Sequence, residues 1–356
     1  YHEYIFGSAR ELNYGQTWKP DTLIKKVIDQ GKDYYDFLLR ADGKVCIDQK
    51  MAAMLSAIKD SITTHKAASD LLFTGEGENE SEYFWGPNQA YKSKIDRYQK
   101  TGTKVNLIDL KTTSKSVEMF RDSFEYYHYD RQMAFYVDAL EDNYMLVDKV
   151  YIIAVETTGY YQVRVFEIGN NLIEEGRKKY KDLLEINDLI RYLSRVTNHN
   201  IKIRRQNTNM YIVVANQKEI KDLIDEIGLQ RPEFDPKRIP IITQLPKDIH
   251  CMAMTSMNAE PNSEIASALV IIRSELPNLM RRACFHEEIA QSLGLTNDSH
   301  FARPSIFNDD DEFATLTQFD EILLQILYDR RLRPGISEKE ASQLVREIAS
   351  EIKINR

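Results

Sequence analysis

The chain has 356 residues, of which 42% are hydrophobic and 29% charged, and its formal net charge is −8. These values are ordinary for a globular protein long enough for two domains, and they exclude a disordered chain and disfavour unspecific binding of nucleic acid over the whole surface. No run approaches the roughly 18 apolar residues of a membrane span, and no signal-peptide pattern is present, so we expect no membrane association.

The first half of the chain is predicted to form a mixed α/β core. Residues 20–74 carry apolar positions at three and four spacing, which predicts helices. Aromatic and β-branched stretches broken by Gly and Pro-Asn turns then predict strands at 81–86, 90–99 and 104–113, and a strand pair over 148–168. One helix, roughly Ser116 to Glu141, separates the third strand from that pair. The order is therefore helices, three strands, helix, two strands.

A long polar helix over about 170–195 closes this half, after which the pattern restarts. Residues 200–215 predict a pair of strands, and a proline-rich connection follows from Arg231 to Pro246. We place the domain boundary near residue 190, so that the domains are 1–188 and 189–356.

The three cysteines are too few for a disulfide framework or a zinc ribbon, and a reduced compartment is the default. Cys251 and Cys284 lie in the same half of the chain and could pair there, whereas Cys46 lies in the other half.

The stretch "NLIDLKTT", residues 106–113, places two charged residues in an apolar strand. Because strand side chains alternate, Asp109 and Lys111 share one face while Ile108 and Leu110 share the other. Ionised groups in a buried strand cost several kcal/mol unless they are paired or bind a metal. The pattern therefore indicates a functional site, although an isolated Asp-x-Lys pair is more often a surface salt bridge.

Two further carboxylates are expected beside Asp109. The preceding strand ends in "KIDRY", which supplies Asp96, and the short turn around Gly102 brings it alongside. Glu80 enters the first strand. The three carboxylates and Lys111 are thus predicted to converge at a sheet edge, where hard oxygen ligands suit Mg²⁺ or Mn²⁺. Such a metal can clamp a phosphodiester and activate a water, and Lys111 would orient or deprotonate that water.

The pattern Asp96…Asp109-x-Lys111 resembles the PD-(D/E)xK nuclease superfamily, with Ile95 in place of the proline. With "GENESEYFW" and "YHYDRQMAFYVDAL", it looks like the phage RecE-type and RecB-type exonucleases over about residues 1–185. The resemblance implies a restriction-endonuclease-like mixed sheet flanked by helices. It also implies a Mg²⁺-dependent exonuclease that acts on double-stranded DNA ends in recombination, repair or phage-related DNA processing, as a ring-shaped homo-oligomer with a single-strand annealing partner.

Other residues are candidates for contact with DNA. Gln132 and Tyr136 match the Q-x-x-x-Y signature of that group and lie one turn apart on a helix, so they either contact the DNA backbone or pack in the core. His65 either belongs to the site or ends a helix. Between Gly86 and Arg121 there are eight basic residues against three acidic ones. We expect this cluster to neutralise phosphates rather than form an ordinary solvated rim, chiefly through Lys92, Lys94 and Arg97.

The second half contains the outline of a metal-binding motif without its usual ligands. Residues 284–307 follow the spacing H-E-x-x-H-x-x-G-x-x-H, with Glu288 at the general base and Gly294 at the turn. The three histidine positions hold Glu287, Gln291 and Asn297. Because Glu and Gln replace imidazole poorly at zinc, zinc is not expected here. An unusual carboxylate-rich metal site is the alternative.

This half, roughly residues 188–352, resembles a degenerate metzincin-like family and a group of uncharacterised, often exported bacterial proteins sharing "HEEIAQ" and "ARPSIFND". The resemblance implies an α+β zincin-like domain in which Phe307 stands where the methionine turn has methionine. His286 is one residue out of register, so we expect a capping or surface residue.

The leading hypothesis is a cytoplasmic, metal-dependent DNA exonuclease, because the first set of catalytic residues is intact. The alternative is a zincin-like peptidase or a catalytically inactive peptide-binding module. The second resemblance raises the possibility of export.

Overall fold

The computed structural model describes residues 47–204, 208–230, 248–258, 264–308 and 313–352, with a few isolated positions between these ranges. Outside these ranges lie residues 4–13, most of the first predicted helix, Cys46 and most of the proline-rich connection. The chain divides after Ile173 into two compact units. Among the described residues, no helix combines the length and apolar character that crossing a bilayer requires.

The first unit is a five-stranded mixed sheet with helices against it. Its helices are α1 (Gln49–Thr64), α2 (Lys66–Phe73), α3 (Phe120–Tyr126) and α4 (Tyr129–Asp142). Its strands are β1 (Gly77–Trp85), β2 (Tyr91–Thr101), β3 (Lys104–Thr113), β4 (Val147–Glu156) and β5 (Val163–Glu167). This order confirms the predicted mixed α/β sheet flanked by helices.

The strands follow one another across the sheet in chain order, so β3 lies at its centre. Only β3 and β4 are parallel, and the connection between them runs through α3 and α4. Ile108 and Ile153 point to one face, where they pack with Ile58 and Ile62 of α1. Since the side chains of β3 alternate, Asp109 and Lys111 point to the opposite face.

The helix predicted over 116–141 is divided in two. A turn at Tyr127 and His128 separates α3 from α4, and His128 has a left-handed backbone conformation with φ 53°. A residue other than glycine in that conformation interrupts helical hydrogen bonding. The apolar periodicity runs on across the break, so it could not reveal it.

The second unit contains a three-stranded sheet and five helices among its described residues. The strands are β6 (Met210–Ala215), β7 (Cys251–Met257) and β8 (Ile265–Arg273), with β8 in the middle, parallel to β6 and antiparallel to β7. The helices are α5 (Asn170–Val196), α6 (Gln217–Gln230), α7 (Asn278–Gln291), α8 (Gln318–Leu327) and α9 (Glu338–Glu351). A disulfide joins Cys251 of β7 to Cys284 of α7.

The structure bears on two predictions for this region, the strand pair over 200–215 and the domain boundary near residue 190. The predicted strand pair over 200–215 is wrong in its first arm, because residues 201–204 have no regular structure, and β6 is the one strand among the described residues of this range. The predicted boundary near residue 190 falls inside α5. The apolar face of this helix, which includes Ile186 and Leu193, packs with Phe285 and the rest of the second unit's core.

A buried ion pair ties α5 to α7. The guanidinium of Arg281, 2% exposed, donates from Nε and Nη2 to the two carboxylate oxygens of Asp182 at 3.0 and 2.8 Å. Its neighbour Arg282 makes an exposed pair with Glu185 at 2.9 Å. The two arginines therefore offer the same chemistry in two different environments.

We expect Arg281→Met to destabilise the second unit by about 3–5 kcal/mol, because it leaves the Asp182 carboxylate buried without a counter-charge. Arg282→Met should cost less than about 1 kcal/mol, because its pair is solvated. Calorimetry of the full chain measures both. Equal losses in the two variants would contradict this account of the buried pair.

Candidate active site

The three predicted carboxylates lie in one row across β1, β2 and β3. The ladder pairs Asn79–Arg97 and Ser81–Ile95 flank Glu80 and Asp96 and set these two residues opposite each other. One step beyond the pair Arg97–Ile108, the same register sets Asp96 opposite Asp109. Opposed residues on antiparallel strands project from the same face.

The row runs from the edge strand to the central strand, which corrects the expectation that it lies at a sheet edge. Asp109 is on β3 and is 1% exposed, whereas the side chain of Glu80 on β1 is 64% exposed. The carboxylates thus pass from solvent into the interior of the unit, and a bound group would be desolvated progressively along the row.

Asp109 is the most demanding member of the row. The Nζ of Lys111, whose side chain is 16% exposed, lies 2.7 Å from its Oδ2. Both oxygens of Asp109 are buried, and Oδ1, unlike Oδ2, has neither this ammonium nor a hydrogen-bond donor as a partner. Burial raises the pKa of Asp109 and the charge of Asp96 raises it further, while Lys111 lowers it. The site therefore holds a carboxylate with coordination to spare.

The other two carboxylates are each engaged once. Asp96 Oδ2 accepts the backbone N–H of Leu110 at 2.8 Å, which fixes Asp96 against β3. Glu80 has φ 54° and pairs with Lys94, whose pKa this contact raises. The left-handed conformation of Glu80 breaks the β1–β2 ladder at the site, and backbone outliers of this kind concentrate at functional positions.

Helix α4 faces the carboxylate row. Gln132 Nε2 donates to the Tyr136 hydroxyl at 3.0 Å. Burial raises the pKa of Tyr136, and the charges of Asp109, Asp96 and Glu80 each raise it further, whereas the bond from Gln132 lowers it. The pKa of the Tyr136 hydroxyl thus depends on all three carboxylates, so Gln132 and Tyr136 belong to the surroundings of the row.

The donor chemistry of the row fits Mg²⁺ or Mn²⁺. In the described part of the chain, no three His, Cys, Asp or Glu side chains are already gathered as a metal-ligand cluster. Of the two buried Asp109 oxygens, however, Oδ2 lies beside the Lys111 ammonium while Oδ1 lacks a hydrogen-bond partner. Buried oxygens of this kind require a cation or donors, and hard divalent cations prefer carboxylate oxygens.

The residues expected to contact DNA are placed differently from one another. Lys92 and Lys94 are about half exposed and pair with Glu82 and Glu80. Arg97 is 6% exposed, and its guanidinium donates to the carbonyls of Leu71 and Thr74 and to Asn79 Oδ1. We therefore correct the assignment of Arg97, because its donors are used to hold the turn before β1.

His65 also has a structural place. It caps the N-terminus of α2, where its Nδ1 accepts the backbone N–H of Ala68 at 3.2 Å. Of the two predicted roles of His65, in the site or at a helix end, the structure supports the position at a helix end.

One residue of the site was missed by the sequence analysis. The Nζ of Lys111 lies 5.0 Å from the centre of the Tyr129 ring, in a cation–π contact. Tyr129 begins α4 and stacks with Tyr127. The available signal is the run of tyrosines just before Gln132, which lies in the motif "YHYDRQMAFYVDAL" but is given no role of its own in the sequence analysis.

The four candidate residues in the second unit are not equally exposed. Glu288 is 7% exposed and Gln291 9% exposed, and Gln291 Nε2 donates to Asp298 at 2.6 Å. Asn297 is exposed, and Glu287 is only partly buried. The four residues therefore occupy different environments, with no imidazole at the three ligand positions.

Glu288 is nevertheless unusual. Burial, first, and the charges of Glu287 and Asp298 together raise its pKa to about 8, against a hydrogen bond from the backbone of Ala253 that lowers it. A carboxyl in these surroundings keeps its proton to a higher pH than an ordinary glutamate does.

The prediction that His286 is a capping or surface residue is wrong. Its side chain is 12% exposed, its Nδ1 accepts the backbone N–H of Leu316 at 3.3 Å, and its Nε2 lies 3.3 Å from Glu185 Oε1. Burial lowers the pKa of His286. The ring links α5 to the segment before α8, so its role is structural.

A mixed sheet crossed by a row of carboxylates with an adjacent lysine defines the PD-(D/E)xK class of domain. The chain belongs to the family described as "PDDEXK-like domain of unknown function" (DUF3799), which it matches over residues 13–197. It also belongs to the family described as "Protein of unknown function" (DUF2927), matched over residues 162–347. The first match supports the PD-(D/E)xK superfamily, but neither supports the RecE/RecB type or a zincin-like second half.

Among solved structures, the chain is similar to a protein from Eubacterium rectale named "Putative exonuclease". The identity is 14%, the TM-score is 0.33, and the match covers 55% of this chain and 79% of that one. No curated protein matches the chain.

We expect Lys111→Met to destabilise the first unit by about 3 kcal/mol at pH 7, because it strands the buried Asp109 carboxylate. Asp109 has a raised pKa in the folded state, so protonation relieves the penalty. The loss should be largest above that pKa and should vanish as the pH falls below the ordinary value of 3.8. Urea denaturation at several pH values tests this, with Lys104→Met on the same strand, where the pair with Asp148 is exposed, as control. A loss independent of pH would refute the mechanism.

Glu288 gives a second pH prediction. Since its pKa is raised from 4.5 to about 8, its ionisation should reduce wild-type stability progressively between these pH values. Glu288→Gln should therefore be more stable than wild type at pH 9, by on the order of 3 kcal/mol, and close to it at pH 5. Calorimetry at both pH values measures the difference, and the exposed Glu338→Gln serves as control. A constant difference at the two values would rule out the buried, neutral carboxyl.

Proposed function

We propose that this chain is a divalent-metal-dependent nuclease that hydrolyses phosphodiester bonds of DNA as an exonuclease. The observation that carries the proposal is the row of Glu80, Asp96 and Asp109 with Lys111 beside its buried end. Carboxylates aligned across a sheet, one of them buried with an unsatisfied oxygen, suit metal-assisted phosphoryl transfer better than a role in packing.

Glu80, Asp96 and Asp109 would hold Mg²⁺ or Mn²⁺. When bound, such a metal lowers the pKa of a water and neutralises charge on the phosphodiester oxygens. Asp96 is already fixed against β3 by the N–H of Leu110, which bonds its Oδ2. Glu80, exposed and paired with Lys94, has more freedom to change its contact.

Lys111 would orient the attacking water and stabilise the negative charge that develops on the phosphorus oxygens. Its ammonium is held between the Asp109 carboxylate and the face of Tyr129. These two contacts hold the positive charge of Lys111 beside the carboxylate row, where the water and the phosphodiester would bind. Gln132 and Tyr136 present a hydrogen-bonded pair toward the same place, where their polar groups would contact a phosphate or the water.

The finer assignments follow the resemblance to RecE-type and RecB-type exonucleases. We propose double-stranded DNA ends as substrate, in recombination, repair or phage-related DNA processing, with Lys92 and Lys94 near the phosphate backbone. A homo-oligomer and a single-strand annealing partner are part of the same proposal. A DNA substrate favours the cytoplasm, whereas the Cys251–Cys284 disulfide favours an oxidising compartment and hence export.

A peptidase is the weaker candidate. Its support would have to come from Glu288, which is buried and has a pKa of about 8. Gln291, whose Nε2 donates to Asp298, offers an amide oxygen where zinc peptidases have an imidazole.

The test is degradation of linear duplex DNA by the full chain with Mg²⁺, Mn²⁺ or EDTA. We expect Asp109→Asn and Lys111→Ala each to lower the rate by about a hundredfold or more, since each removes charge stabilisation of the transition state. Lys104→Met, on the same strand but in an exposed pair with Asp148, should retain the wild-type rate.

Degradation that persists in EDTA, or that is equal in Lys111→Ala and Lys104→Met, would remove this assignment. Turnover of casein that is abolished by Glu288→Ala would instead favour the peptidase.

A further inference from the structure

The turn between α3 and α4 exposes aromatic side chains beside the carboxylate row. Tyr126 is 78% exposed and Tyr127 60% exposed. Their rings are perpendicular, with centroids 5.0 Å apart. Since soluble proteins rarely expose adjacent large rings without a use for them, this pair calls for an explanation.

A continuous series of contacts connects this pair to the candidate active site. The Tyr127 ring stacks with Tyr129 at 5.6 Å and an interplanar angle of 28°. Tyr129 in turn lies under the ammonium of Lys111, which is 2.7 Å from Asp109. The exposed rings therefore lie near Lys111, the residue proposed to act on the phosphodiester. The Tyr129 ring lies between Tyr127 and the Lys111 ammonium.

Packing accounts for the inner part of this aromatic group but not for its outer part. Phe120 is 2% exposed and stacks with Tyr129 and with Phe166 of β5, so these rings anchor the turn to the sheet. Tyr126 is the last residue of α3 and Tyr127 its C-cap, and the left-handed His128 then separates them from α4. The turn is thus anchored from below while its outer rings remain open to solvent.

We propose that Tyr126 and Tyr127 bind unpaired nucleobases, so that the site acts on a DNA strand whose terminal nucleotides are separated from their complement. This inference rests on the proposed function and specifies its substrate class. Aromatic rings bind bases by stacking, without sequence preference, and stacking is available only to bases that have left the duplex. Paired bases inside a duplex present their edges and backbone instead.

A strand placed on this pair would bring its next phosphates to Lys111 and the carboxylate row. The adjoining site is therefore an argument for a nucleic-acid occupant, since the contacts lead to groups suited to phosphate. Binding of a protein partner would not require the contacts that lead from Tyr127 through Tyr129 to Lys111.

The experiment measures binding of the full wild-type chain and its variants in EDTA, where metal-dependent cleavage is absent. The probes are two single-stranded oligonucleotides carrying 2-aminopurine at either end and a duplex of the same sequence closed at both ends by polyethylene glycol linkers that carry no bases. Fluorescence quenching reports stacking, and anisotropy reports affinity. Tyr127→Ala and Tyr126→Ala are compared with Tyr127→Phe, and with Tyr144→Ala and Tyr160→Ala, which remove tyrosines that are 98% and 89% exposed elsewhere in the first unit.

We expect Tyr127→Ala to weaken single-strand binding by about tenfold and to remove the quenching, since one stacked base is lost. Tyr126→Ala should act in the same direction. Tyr127→Phe should keep both affinity and quenching, and the two control variants should match wild type. Binding of the closed duplex should change less than about twofold in every variant, because its bases cannot reach the rings.

The inference is overturned if wild type gives no quenching, if Tyr127→Ala behaves like Tyr144→Ala, or if affinity falls equally for the single strand and the closed duplex. If Tyr127-dependent stacking is seen but Mg²⁺-dependent degradation is not, the proposed nuclease fails, and of this inference the binding of unpaired bases by the two tyrosines stands. If degradation depends on Lys111 while Tyr127→Ala binds normally, the nuclease stands and this inference fails.

Discussion

The ion pair between Asp109 and Lys111 on the central strand is the constraint around which the first unit is built. A carboxylate that is 1% exposed is unfavourable in a protein interior unless a cation lies beside it. Lys111 supplies that cation from the same face of β3, two residues along. Its ammonium is held in turn by the Tyr129 ring, and Tyr129 begins the helix that faces the row. The pair therefore links the register of the sheet to the position of α4.

The sheet explains why three residues far apart in sequence share this environment. Antiparallel pairing of β1 with β2 and of β2 with β3 places Glu80, Asp96 and Asp109 in line, so a slip of one residue in either pairing would send a carboxylate to the apolar face. That face carries Ile108, which packs with α1. The hydrophobic face therefore fixes the register that the polar face requires, and the fold and the candidate site depend on the same alternation.

The alternation along β3 is also what made this part predictable from sequence. Ile108 and Leu110 alternate with Asp109 and Lys111 in β3, and this segment specifies both faces without knowledge of the rest of the chain. Arg97 and His65 could not be assigned in this way, because their roles depend on carbonyl and N–H groups brought close by tertiary packing. The break at His128 was hidden for a related reason, since a backbone conformation leaves little trace in apolar periodicity.

Helix α5 gives a physical account of how the two families are joined in one chain. The two matched segments overlap over residues 162–197, and this helix occupies most of the overlap. The chain divides before most of α5, and the helix packs its apolar face into the second core. Its Asp182 holds Arg281 of α7, so a boundary at residue 188 would separate the partners of a buried ion pair. The PD-(D/E)xK-like segment thus ends in a helix that the second unit needs for its own stability, and neither matched segment can be cut at its family limit without taking part of the other.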